Sequence, residues 1–453
     1  MNLRRWLTPG IGIKRWLLLV FIGLLFLALA LASVLRQATR ELRPGGIVQE
    51  VLDLLTLQFL PSSVRLVAVV ILGAALATIG AIMLIRAFMD PFRSSDGRQP
   101  LVEVIYQKRF LARGPRIVAI GGGTGLSALR RGLKEHTSNL TAVVTVADDG
   151  GSSGVLRTEL GIPPVGDIRN CIAALADSET LMDQLLQYRF PADTPDAGQP
   201  AQPGRPAQPA QPGLAGHAVG NLLIAAMTAL EDGDFEEGVR RINRILAVRG
   251  QVVPVSATML TLHARTRDGI VVDGQSRIMR TEGVERVWLT PDDVAPSSDA
   301  LDAIRDAELI VLGPGSLFTS LLPSLLIPAI REAVAMAGAP RLYVCNVATQ
   351  EGETAGFDLA AHVEALVAHT VPGIVDVVLA NNAFRARVPA RWTAEAVRLR
   401  WPARVDPLPR LVLEDVVDPD NAHHHDPDRL ATAVIGIFER EVRLRRRTVS
   451  RTA

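Results

Sequence analysis

The chain has 453 residues, long enough for one large domain or two ordinary ones plus appendages, and its apolar share of 48% is concentrated toward the N-terminus. Lys plus Arg number 48 against 47 Asp plus Glu, a formal charge of +1 that offers no global basic field and argues against a nucleic-acid partner. Two cysteines, Cys171 and Cys345, stand far apart without metal-type spacing, as ordinary buried thiols of a reduced, intracellular setting do.

In chain order, residues 16–34 ("WLLLVFIGLLFLALALASV") form the first predicted element, nineteen uncharged and mostly aliphatic positions that suffice to cross a hydrocarbon core. A second span is predicted at about 65–86, uncharged from Leu66 to Ile85. Arg4, Arg5, Lys14 and Arg15 precede the first span, and Arg86, Arg93 and Arg98 follow the second, so both ends are expected on the cytoplasmic side; Arg36, Arg40 and Arg43 between them weaken that bias. Residues 1–90 are therefore expected to be a two-helix transmembrane hairpin anchored in membrane lipid. That makes the chain a multi-pass cell-membrane protein with its main domain in the cytoplasm.

A polar connector, 91–114, leads to an α/β pattern over about 115–390. The short β-branched runs "RIVAI", "LTAVVTVADD", "AELIVLGPG", "RLYVCNVAT" and "VDVVLANN" alternate with helical stretches, which predicts a mostly parallel, Rossmann-like sheet with helices on both faces. "LTLHARTRDGIVVDGQS" predicts an antiparallel hairpin turning near Asp268 and Gly269. The Pro/Gln-rich insertion at about 192–215 cannot bury apolar area and is expected to be disordered. Past about Arg385 the strand signal fades, so 391–453 is taken as a partly helical extension with a basic end.

Ligands of open α/β sheets collect outside the carboxyl ends of the strands. The first such loop is Gly121-Gly122-Gly123-Thr124-Gly125, whose bare backbone can approach an anion at a helix N-terminus; a tight corner is the alternative. No Gly-Lys-Ser/Thr follows, so it is not a Walker loop, but "GTGLSA" fits G-x-G-x-x-A and keeps a dinucleotide site open. In "ADDGGSSG", Asp148 and Asp149 can hold a ribose or a Mg²⁺ shared with phosphates, and Ser152 and Ser153 can donate to phosphate oxygens. A ligand-free Asp-Gly turn is the alternative there. In "PPVGDIRNC", Asp167 suits a helix N-cap, while Arg169 and Asn170 in the first turn suit a phosphate or carboxylate fork. His217 and Asn221, four apart, are expected on one helical face toward a ligand. "LGPGSLFTS" supplies a second bare-backbone turn, Gly313-Pro314-Gly315-Ser316, and two such cradles on neighbouring strands suit a diphosphate. "NVATQEGETAGF" adds polar groups to the same rim. His423, His424 and His425 read as an exposed loop with adventitious metal affinity. The tail arginines Arg443, Arg445, Arg446 and Arg447 read as a solvated helix end, with anionic lipid as the alternative. No Gly-x-Ser-x-Gly elbow or Ser/His/Asp triad is visible, and no catalytic residue is assigned.

The set "VAIGGGTGLSALRRGLK", "VTVADDGGSSGVLRTELGIPPVGDIRNCIAALAD", "GHAVGNLLIAAM", "LAVRGQVVP", "VLGPGSLFTSLLPSLLIP" and "CNVATQEGETAGF" resembles the YvcK-type gluconeogenesis factors, relatives of the CofD phospholactyl (2-phospho-L-lactate) transferases. The resemblance runs from about Arg116 to residue 388. It implies a UDP-sugar binder, notably of UDP-N-acetylglucosamine, that supports envelope growth and morphogenesis on gluconeogenic carbon without an established reaction, and it suggests a homodimer. By the same resemblance the two glycine loops hold the diphosphate. Asp148, Asp149, Asp167, Arg169 and Asn170 then meet ribose, base or metal, and His217 and Asn221 meet the variable end. The chain departs from the family in its hairpin, its insertion, Glu351, and Phe318 where many relatives carry Tyr. A transferase acting on a nucleoside diphospho donor with Mg²⁺ at Asp148 or Asp149 is the rival expectation, and an NAD-dependent oxidoreductase the third.

Overall fold

The structure, a computed structural model, describes residues 110–175, 179–191, 213–383 and 394–452. The expected hairpin and most of the Pro/Gln-rich insertion lie outside these residues. The chain divides into two units, Met1–Lys108 and Arg109–Ala453, and the described residues fall in the second. Among them no single helix is long and apolar enough to cross a membrane.

Three strands open the fold: β1 (Ile117–Gly121), β2 (Leu140–Val144) and β3 (Gln251–Pro254). A second run comprises β7 (Leu309–Leu312), β8 (Arg341–Val344), β9 (Val377–Asn381) and β10 (Arg410–Glu414). Every residue of β1, β2, β7 and β9 is buried, as central strands covered by crossover helices require. Among the described residues the seven form one parallel sheet in the order β10-β9-β8-β7-β1-β2-β3. From β1 the chain winds outward to β2 and β3, and from β7 it winds the opposite way. The strand order thus reverses between β1 and β7, Ile117 to Ile120 pairing with Leu309 to Leu312. That is the doubly wound arrangement, and its reversal opens a crevice at the strands' carboxyl ends.

Among the described residues the α-helices of nine or more residues are α1 (Gly123–Leu133), α2 (Gly151–Leu160), α3 (Gly166–Leu175), α4 (Glu179–Gln187), α5 (Val219–Leu230), α6 (Phe235–Ile245), α7 (Ser298–Asp306), α8 (Pro328–Met336), α9 (Leu359–Ala368) and α10 (Pro427–Thr452). Between β3 and α7 the chain builds a small antiparallel sheet, with β4 (Thr261–Thr266) between β5 (Val271–Asp273) and β6 (Val284–Thr290). The expected hairpin is there, Gly269 taking φ +82° at the turn. Leu262, Ala264, Val287 and Leu289 bury one face of this small sheet.

The chain past residue 385 differs from the sequence expectation. β10 extends the parallel sheet, and α10 packs along α1 so tightly that a Cβ on Gly132 would strike the Pro427 carbonyl and the Ala431 methyl. Two helix starts also differ. α3 begins at Gly166, so Asp167 lies in its first turn instead of capping it. His217 precedes α5, whose N-cap is Ala218, so it does not share a helical face with Asn221.

Candidate functional site

The two glycine corners meet at the reversal point. Gly122 caps α1 and Gly123 opens it with φ +66°, a conformation that favours glycine. A Cβ on Gly125 would lie 2.9 Å from the Pro314 carbonyl oxygen and 3.0 Å from the Gly315 nitrogen, so only glycine lets the first turn of α1 rest against the loop after β7. A cavity of about 750 Å³ opens here, its wall including Gly122 to Gly125, Asp148, Asp167, Asn170, Gly315 and Ser316. N–H groups in the first turn of a helix have no intrahelical acceptor, so Thr124 and Gly125 offer donors to the cavity at the positive end of α1.

The loop after β7 is less bare than its sequence suggests. The Gly313 N–H donates to the Ile120 carbonyl at 2.9 Å, and Pro314 has no N–H. Asn346 clamps Gly315 on both sides, its Oδ1 accepting from the N–H at 3.2 Å and its Nδ2 donating to the carbonyl at 2.9 Å. Gln350 Nε2 donates to Ser316 Oγ at 2.7 Å. The loop is thus a braced wall, and the open amides belong to α1. Glu353, 2% exposed, completes the brace by accepting from the Phe318 N–H at 3.3 Å and from the Thr319 hydroxyl. Burial pushes its carboxyl up to about 7. Phe318 itself is 1% exposed with its ring edge-on to Phe357 and His369, inside the core and off the cavity wall.

Three acids line the cavity, Asp148, Asp167 and Glu351. Asp167 is pushed up to about 7, chiefly by burial and then by the charge of Asp148, despite a bond from the Gly123 N–H; its Oδ2 has no partner. Burial also raises Asp148, against the Gly150 N–H donating at 2.9 Å. Asp149, expected beside Asp148 as a ribose or metal ligand, is spent elsewhere: its Oδ1 accepts from both the N–H and the hydroxyl of Ser276 at 2.8 Å each. The pair open to a cation is therefore Asp148 with Asp167. Two carboxylates alongside phosphate oxygens fit Mg²⁺, which keeps several waters, and the unpartnered Oδ2 of Asp167 suits that role. Among the described residues no group of three or more His, Cys, Asp or Glu is arranged for a metal.

Behind this wall lies a buried polar network. Ser152 Oγ meets His217 Nδ1 at 3.1 Å and accepts from Asn221 Nδ2 at 3.0 Å. Arg169 donates to Asn221 Oδ1 at 3.2 Å and to Asn170 Oδ1 at 3.0 Å, and Gln187 donates to the same Asn170 oxygen at 2.9 Å. Of these residues only Asn170 reaches the cavity wall; Ser152, Arg169, His217 and Asn221 stand one layer back, as does Ser153, whose hydroxyl bonds Asp148. Burial and the nearby Arg189 charge lower Arg169 to about 10, so it stays cationic beside Asp148 and Asp167.

The far rim was foreseen only in part. His423, His424 and His425 line the cavity, and only His424 is exposed. His425 Nε2 contacts the Cys345 carbonyl at 3.2 Å, and burial lowers its ring to about 4, so it is neutral near pH 7. Asn346, Thr349 and Gln350, in the stretch after β8 expected to add polar groups to this rim, line the wall. The histidines needed β10 to be seen first. Gln275 and Met279 reach the wall from the short helix Gln275–Ile278 and its C-cap, between β5 and β6, for which the sequence holds no comparable signal. A second cavity, about 580 Å³, lies at the opposite ends of the strands and is lined by Arg116, Asn139, Gln251, Arg240, Asp299 and Asp306, among others. Asp302 lines it too, and three carboxylates on one helix suit an anion poorly.

Comparison with known proteins agrees with this fold. The family described as 2-phospho-L-lactate transferase CofD matches residues 117–408. The gluconeogenesis factor of Bacillus subtilis is 48% identical over 269 residues, covering 59% of this chain and 79% of the relative. A Deinococcus radiodurans relative, given the same name provisionally, is 39% identical over 443 residues, 96% of this chain and 90% of its own length. A crystal structure of a UPF0052 family member from Bacillus halodurans superposes with a TM-score of 0.62 at 39% identity, covering 71% of this chain and 99% of that one. With these matches spanning the sheet and the crevice at its reversal point, the chain belongs to the CofD family, among relatives named gluconeogenesis factor.

Proposed function

We propose that the chain is a nucleotide-sugar-binding regulator of the gluconeogenesis-factor type, taking a UDP-sugar such as UDP-N-acetylglucosamine. The observation that carries this is the open N-terminus of α1 at the β1/β7 reversal, facing a cavity of about 750 Å³. That volume lies within the roughly 300–1,000 Å³ of small-molecule sites. Donors at the centre suit a diphosphate, and polar groups on both flanks suit a nucleoside on one side and a sugar on the other. The apolar runs at 16–34 and 66–85 support tethering to the membrane, which would set the sensor beside envelope-precursor synthesis. The names of the relatives support a role in carbon-metabolism adaptation, and the resemblance to YvcK-type factors supports one in growth and morphogenesis.

The Asp148–Asp167 pair favours a second reading, a phospholactyl-type transferase with Mg²⁺ at those carboxylates. A bound ion would supply charge neutralisation on a phosphoanhydride. A thermal-shift panel on the full-length protein separates the two. UDP-sugars that raise the melting temperature without turnover support the regulator. Consumption of guanosine diphospho-lactate with a deazaflavin acceptor supports the transferase, and a response to NAD alone contradicts both.

A further inference from the structure

Gln275 is 7% exposed and lines the cavity, and among the described residues its buried Oε1 has no hydrogen-bond partner, so a ligand pairs with it by a turn of the terminal amide about its soft χ3 toward the cavity. The vacancy does not come from a loose turn. Asp149 holds Ser276 by two hydrogen bonds, and Gly274, at φ +92°, sits too close to the Asp149 carboxylate for any Cβ. On the other side Gly352 backs onto the main chain of Met279 and Arg280. The backbone on both sides of Gln275 is thus fastened, and a buried oxygen left unpaired is costly.

The position in the sheet tells which end of a ligand Gln275 would meet. Open amides sit at the β1/β7 reversal, while Asp149, to which the Gln275 turn is tied, follows β2. In doubly wound folds the nucleoside lies on the β2 side of the phosphates. A carboxamide presents one donor and one acceptor side by side. Phosphate offers acceptors only and would leave Oε1 unpaired, whereas the edge of a nucleobase offers a donor beside an acceptor in one plane. We propose that Gln275 reads the nucleobase edge of the bound nucleotide, making the short helix between β5 and β6 the base-selecting part of the site. This rests on the nucleotide-binding function proposed above.

The test is calorimetric titration of the full-length protein with UDP, UDP-N-acetylglucosamine and inorganic pyrophosphate, comparing wild type with Gln275→Ala and Gln275→Met. The methionine keeps the side-chain length and removes both hydrogen-bonding groups, so it carries the test if the alanine variant unfolds. Losing a paired donor and acceptor should weaken both nucleotides by roughly tenfold or more and leave pyrophosphate within about twofold. Unchanged nucleotide affinity, or equal weakening of nucleotide and pyrophosphate, overturns the inference while leaving the proposed function standing. If wild type binds no uridine nucleotide, the UDP-sugar assignment fails, and the same variants are titrated with GDP, ADP and NAD. Binding of any of these with the same selective loss upholds Gln275 as base reader, and no nucleotide binding at all overturns both.

Discussion

At the residue scale the protonation of buried groups gives the sharpest expectations. Asp167 titrates near 7 in the folded chain, against about 3.9 for an unfolded aspartate. Between those values the folded state holds a proton that the unfolded state has lost, so this group makes stability fall as pH rises from about 4 to about 7. Glu353, also near 7, adds a slope of the same sign. His425 acts oppositely: lowered to about 4 against about 6.5 unfolded, it makes stability rise with pH across that window. Asp167→Asn should therefore be more stable than wild type at pH 8, by up to about 4 kcal/mol, and equal to it near pH 4. Urea denaturation at the two pH values checks this, and a constant difference across pH would contradict it. Mg²⁺ with a diphosphate should shrink the pH 8 difference by neutralising the carboxylates. The loop Gly121 to Gly125 and Asp148 were legible in the sequence because each motif is contiguous and follows a strand. The pairing of Asp148 with Asp167, and the diversion of Asp149 to Ser276, depend on contacts across 19 and 127 positions respectively, which no local pattern encodes.

Among elements, the close approaches made by glycine separate folding from binding. Gly125→Val should push the loop after β7 off α1, costing about 1–3 kcal/mol and abolishing the ligand-induced melting shift, because the backbone atoms it meets cannot rotate away. Gly132→Ala, which does not itself line the cavity, should lower the melting temperature by forcing α10 off α1 while the ligand shift survives. Loss of the shift in that variant would mean that α10 controls the site. Asn346→Ala leaves the Gly315 N–H unpaired and should cost about 1–3 kcal/mol, with weakened binding as the loop relaxes. Differential scanning fluorimetry with and without ligand reads all three. The parallel strands were predictable where burial is total, as in β1 and β2. β10 escaped because it is an edge strand of mixed exposure in an arginine-rich context, and without it α10 and the histidine loop had no place in the fold.

For the whole molecule, what matters is a strand order that reverses once and puts an open helix N-terminus in the crevice. Sequence alternation indicated a parallel α/β sheet, but the order of the strands follows from pairings such as Ile117 with Leu309, which single-sequence patterns do not specify. The second cavity at the opposite ends of the strands is a built-in control, since its acids should repel a diphosphate. Subcellular fractionation should find the full-length chain with membranes and a chain starting at Arg109 released from them; equal partitioning would contradict tethering by the apolar runs. The most direct test of the site is a crystal structure of the protein soaked with UDP-N-acetylglucosamine. We expect the diphosphate oxygens within hydrogen-bonding reach, about 3 Å, of the Thr124 and Gly125 nitrogens. A nucleotide seated instead among Arg116, Asn139 and Gln251, or a filled cavity with those amides untouched, would contradict the account.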